Sequence, residues 1–159
     1  MGVVIVGVGQ SMRGDDAAGL EAVELWQRRH AATSERTDVR VVMVEEPGLN
    51  LLSVLEGMDA AVIVDAASTG APAGTLHRVG IESLSAVQGT SASAHSWGVA
   101  EVLRLRAALE PRSAPPAIRV LGIEASSVEI GAGLSDAIRA ALPNACEAIQ
   151  VEVSALLND

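Results

Sequence analysis

The first nineteen residues, MGVVIVGVGQSMRGDDAAG, constrain the fold more than any other stretch. Val3 to Val8 is an unbroken apolar run rich in β-branched side chains, which favours a strand buried on both faces. Gly7 and Gly9 permit a tight turn that side chains would obstruct. A short loop follows, then Asp15 and Asp16, where a helical pattern begins. One of these aspartates is expected to cap that helix, because a carboxylate accepts from the free N–H groups of a first turn. A strand, turn and helix in this order point to an α/β fold. They also bring two carboxylates to the carboxyl edge of a sheet, where open α/β sheets bind ligands.

The rest of the chain continues the alternation. Asp16 to about His30 has helical spacing, with Leu20, Val23 and either Trp26 or Gln27 near one face. Ala31 to Asp38 reads as a polar loop, Val39 to Val44 as a second strand, and Glu45-Glu46-Pro47-Gly48 as a turn. Leu49 to Leu55 is expected to be a short helix, and Ala60 to Val64 a third strand ending at Asp65. Thr75 to Val79 follows too closely for a helical crossover, so this fourth strand should pair antiparallel. Ile81 to Ala94 is rich in Ser, Ala and Gly and reads as a mobile loop. A helix from Trp97 to about Leu109, a break at Pro111 to Pro116, and a fifth strand from Ile118 to Ile123 come next. After a glycine-containing loop, Ser135 onward is helical, with Pro143 expected to start a second segment. These elements predict one α/β domain over residues 1–159. It is a three-layer sandwich with a twisted, mostly parallel five-stranded sheet, one antiparallel strand, and helices on both faces.

Composition excludes several functions. A net charge of -9 argues against a nucleic-acid partner, because phosphate contact needs a basic patch. No uncharged apolar run reaches spanning length, and the apolar start lacks a basic leader, so neither membrane association nor export is expected. The single cysteine, Cys146, allows no intrachain disulfide and suits a reducing cytoplasm. It falls within a helical pattern and reads as a small core residue. His30 and His77 read as ordinary surface residues.

Three kinds of chemistry are suggested by motifs. Gly7-Val8-Gly9 begins a dinucleotide fingerprint, but its third glycine position is Met12, and Asp15 and Asp16 put negative charge where a pyrophosphate would sit. No Gly-Lys-Ser/Thr sequence supplies a P-loop. Gly89-Thr90-Ser91-Ala92-Ser93 approaches a nucleophile elbow without its last glycine or its preceding strand, leaving Ser91 or Ser93 as a weak hydrolase reading. The third reading is a metal-directed site. Asp15 or Asp16, Asp65 and His95 would offer two carboxylates and one imidazole, a set suited to Ni, Zn, Mn or Fe with positions left open for substrate or water. Each residue also has a plain role available: a helix cap, an Asx-turn at Asp65, or a helix border at His95.

The order of these motifs resembles the hydrogenase maturation endopeptidases, which process the large subunit of nickel-iron hydrogenases. The resemblance rests on Gly7-Val8-Gly9 through Asp15-Asp16-Ala17-Ala18-Gly19, on Val62-Ile63-Val64-Asp65-Ala66 followed by Pro72-Ala73-Gly74-Thr75, on Ser93-Ala94-His95, and on Gly122-Ile123-Glu124 with the loop through Gly131 and Gly133. It implies that Asp16, Asp65 and His95 contact a metal and carry the reaction. It also implies that the metal is nickel brought by the substrate, with another divalent ion able to take its place. The partner would be a hydrogenase large-subunit precursor, from which a C-terminal extension is removed. Gln10 stands where the family usually has Asn, and Glu45-Glu46-Pro47-Gly48-Leu49 replaces a commoner acidic-Gly-Thr turn. A non-enzymatic metal-sensing or chaperone-like module on the same scaffold is the alternative.

Overall fold

The computed structural model describes residues 2–45, 49–80, 99–109 and 117–159. Its strands are β1 (Val3–Val8), β2 (Val39–Val44), β3 (Ala60–Ala67), β4 (Leu76–Gly80) and β5 (Ala117–Glu124). They form a five-stranded sheet in the order β2-β1-β3-β5-β4. All neighbouring pairs are parallel except β4 with β5, as the short connection before β4 requires. The helices are α1 (Ala18–Arg29), α2 (Ala31–Ser34), α3 (Leu49–Leu55), α4 (Val99–Leu109) and α5 (Asp136–Asn158).

Alternating side chains of the buried strands feed two cores. Val3, Ile5, Val62, Val64, Leu121 and Ile123 face α1 and α5. Val4, Val6, Val8, Ala61, Ile63 and Val120 face α3 and α4. Both faces are covered, which is why β1 and most of β3 show no polar alternation. Trp26 is the largest buried side chain, and its indole N–H donates to Gln150 Oε1 on α5 at 2.9 Å. That bond satisfies the ring's polar handle and joins the first long helix to the last.

Several boundaries differ from expectation. Helical structure after β1 begins as a 3-10 turn, Gly14–Ala17, before α1 proper. Neither aspartate caps α1, because both carboxylates are engaged elsewhere. The stretch read as a polar loop contains α2. Pro143 does not divide the last helix; α5 runs through it. Pro143 is exposed, while Ile138, Ala141, Ala145, Cys146 and Ile149 on either side are buried. Continuous packing of that stripe outweighs the roughly 3 kcal/mol that an interior proline costs. The expected turn at 46–48, the 81–94 loop, the start of the 97–109 helix and the proline break at 111–116 lie outside the described residues.

Candidate active site

In the order β2-β1-β3-β5-β4 the chain leaves β1 toward one edge of the sheet and leaves β3 toward the other. Open α/β sheets bind ligands at such a reversal, beyond the carboxyl ends of the strands. Asp16 follows β1, and Asp65 lies in β3 just past Val64, the last residue paired with β1. β1 and β3 therefore part where the two carboxylates stand.

Local backbone geometry directs Asp16 inward. Gly9 has φ 153°, and a Cβ there would collide with the Asp16 carbonyl oxygen. The turn can therefore fold back closely enough for the Gln10 N–H to donate to Asp16 Oδ2 at 3.0 Å. Gln10 serves this contact through its backbone, so exchange of its side-chain type leaves the bond in place. Asp16 is 2% exposed. Burial raises its pKa, against the Gln10 hydrogen bond and the Arg13 charge. Asp65 is partly buried, and its Oδ1 accepts from the Ala66 N–H at 2.8 Å. Burial, and then the neighbouring charge of Asp16, push its pKa up to about 8. Burial and the Asp16 charge both favour the protonated form of Asp65 beside the strand gap. The Arg13 Nε is buried and has no hydrogen-bond partner among the described residues.

Asp15 does different work. Its fully buried carboxylate accepts from the N–H groups of Ser126, Ser127 and Ser135, at 2.7, 3.2 and 2.7 Å, and from the Ser135 hydroxyl at 2.8 Å. Burial alone would raise its pKa, but these hydrogen bonds outweigh burial and hold it below the ordinary value. Asp15 thus ties the loop after β5 to the loop after β1. Backbone bonds from Gly14 to Ala132 and from Gly131 to Met12 reinforce the tie. The sequence pattern left Asp15 and Asp16 interchangeable; in the structure Asp15 anchors a distant loop, while Asp16 accepts from Gln10 at the end of β1. Asp15→Ala is expected to cost about 3 kcal/mol by leaving buried donors unpaired. Asp15→Asn should be milder than Asp16→Asn in any activity assay. Urea denaturation beside that assay checks both expectations. Because the Asp15 pKa is depressed, its stabilising contribution is present above pH 3.8 and is lost as the pH falls through its folded value.

A third buried acid had no role assigned from the sequence. Glu124, 2% exposed at the end of β5, accepts from the Thr69 N–H at 2.7 Å, the Thr69 hydroxyl at 3.0 Å and the Gly70 N–H at 3.1 Å. The His77 Nε2 lies 3.0 Å from its other oxygen contact point, Oε2. His77 is therefore not an ordinary surface residue. Antiparallel register sets it opposite Gly122, whose missing side chain leaves the imidazole room to reach Glu124 two residues on. This network holds the loop that leaves Asp65. His95, Ser91 and Ser93 lie outside the described residues. Cys146 is buried as expected.

The sequence profile described as Hydrogenase maturation protease matches residues 21–152. The hydrogenase expression/formation protein HupD of Thiocapsa roseopersicina is 31% identical over 108 residues, which are 67% of this chain and 48% of that protein. The chain thus spans about half the length of that curated relative, 48%. The [NiFe] hydrogenase maturation protease HybD from Thermococcus kodakarensis superposes with a TM-score of 0.75 at 26% identity, covering 96% of this chain and 99% of that one. The hydrogenase maturating endopeptidase HybD from E. coli shares the fold, with a TM-score of 0.79, 24% identity, and coverage of 97% and 93%. With a profile match over most of its length and the same fold, the chain belongs to the hydrogenase maturation protease family.

Proposed function

We propose that the protein is an endopeptidase that removes the C-terminal extension of a hydrogenase large-subunit precursor after nickel has been inserted. The nickel is the substrate's, and Asp16, Asp65 and His95 are its contacts on the protease; another divalent ion can take its place. The carrying observation is the placement of Asp16 and Asp65 at the edge of the β1–β3 gap, where burial and then the Asp16 charge push the Asp65 pKa up to about 8. An arriving cation would take the place of the proton that Asp65 otherwise holds, so the site favours precursor that already carries metal. A metal so held can polarise the scissile carbonyl or lower the pKa of an attacking water, and no serine or cysteine nucleophile is required. Glu124 and Asp15 keep the two rim loops in register around it. Met12 and Ile130, 69% and 80% exposed on the joined loops, offer apolar contact to a protein substrate. No described helix is long and apolar enough to cross a membrane.

The test mixes purified protein with nickel-loaded and nickel-free precursor and follows product size. Cleavage of loaded precursor alone is expected. His95→Ala should leave the circular dichroism spectrum unchanged while reducing cleavage by at least about 1,000-fold, the scale of losing a principal electrostatic contact. Normal cleavage by that variant would remove His95 from the site. Complex formation without a shortened product would favour the binding-module alternative.

A further inference from the structure

We propose that His30, Cys146 and Glu147 form a second divalent-cation site, for an ion of the zinc, cobalt or nickel kind, which clamps α1 to α5. One ligand atom from each residue lies within 4.8 Å of the others. The His30 Nε2 stands 3.2 Å from Glu147 Oε1. That separation is close to the edge of a tetrahedron with metal–ligand arms of about 2.1 Å, roughly 3.4 Å. The donor set of thiolate, imidazole and carboxylate suits a borderline ion and disfavours magnesium or calcium. On binding, the thiol proton passes to solvent and sulfur takes up the metal. Cys146 forms the buried floor, while the Glu147 side chain is 63% exposed and that of His30 23%, leaving an outward position for water.

The surroundings pre-organise this group. His30 follows the last residue of α1, and its N–H donates to the Trp26 carbonyl at 2.8 Å. The Trp26 ring is fixed in turn to Gln150, one turn beyond Cys146 on α5. The ligands are therefore set on two helices already locked together, so binding orders little that is free. The site is independent of the acidic pair. It lies at the opposite end of α1, whose 12 residues span about 18 Å.

Cobalt(II) titration of the purified full chain tests the proposal. Cys146 is the only cysteine, so a thiolate-to-cobalt charge-transfer band can arise nowhere else. Wild type should show the band at stoichiometric cobalt, zinc should displace it, and zinc should raise the melting temperature. Cys146→Ala should abolish the band. His30→Gln and Glu147→Gln should each weaken cobalt binding at least about 10-fold. Asp16→Asn should keep the band, which separates this site from the catalytic one. Absence of the band in wild type, or unchanged affinity in both His30→Gln and Glu147→Gln, overturns the proposal. If Cys146→Ala does not fold, the two Gln variants decide the matter, because they replace partly exposed side chains at the rim.

Discussion

Replacing Asp65 with asparagine should abolish processing of nickel-loaded precursor and, at the same time, make the free protein more stable. Asp65 ionises in the unfolded chain near 3.8 but in the folded protein only near 8, because of burial and then the Asp16 charge. The folded state therefore holds a proton that the unfolded state releases. The stability that this proton confers is fully present below pH 3.8 and is lost as the pH rises to about 8. Asparagine keeps the acceptor for the Ala66 N–H and removes the ionisation. The gain over wild type should grow through that window, reaching on the order of 2–4 kcal/mol above it, after discounting for relaxation around a coupled pair. In a chain of this size that corresponds to roughly 5–12 °C in melting temperature. Thermal melts across the pH range, beside a cleavage assay, read both effects. Coincident melting curves for the two proteins would show that burial and the Asp16 charge do not hold Asp65 protonated. Retained cleavage would show that Asp65 does not take part.

Gly19→Ala should prevent folding or cost more than about 4 kcal/mol, the range reserved for clashes that nothing can relieve. A Cβ at Gly19 would collide with the Val64 carbonyl oxygen and come within 2.6 Å of that of Val8. Both obstacles are backbone atoms in central strands, so no rotamer change makes room. Gly7 completes the close approach from the strand side, since its own Cβ would stand 3.1 Å from the Gly19 carbonyl oxygen. α1 thus rests almost directly on β1 and β3, and Asp16, a few residues upstream, is placed by that contact. Gly57→Ala is the control. Gly57 has φ 73° with nothing within 4 Å, so its loss should cost only about 1 kcal/mol of backbone strain. Urea denaturation midpoints compare the variants. A native-like midpoint for Gly19→Ala would show that the helix can lift off the sheet, and processing should then fall with the displacement of Asp16.

Much of the architecture was legible because it depends on local chemistry. Parallel strands covered on both faces read as continuous apolar runs, so β1 and β3 were visible directly. The interval before β4 was too short for a crossover, which gave its antiparallel pairing. Gly7 and Gly9 read as a tight turn, and only the structure shows that backbone comes close to backbone at Gly9 and Gly19. Pro143 misled because helix propensity is local, whereas the stripe that carries α5 past it is secured by the core.

At the site, residue order alone determined that acidic groups would follow β1 and β3, both at the carboxyl edge. Only the tertiary structure decided what each acid does there. Asp15 and Asp16 are neighbours in sequence with the same side chain. One meets the serine N–H groups of a loop more than a hundred residues away and becomes an anchor; the other meets Gln10 and Asp65 across a strand gap. His77 looks superficial until register sets it opposite Gly122 and within reach of Glu124. A carboxylate's role follows from the donors and charges around it, and those arrive from distant parts of the chain only when the sheet assembles.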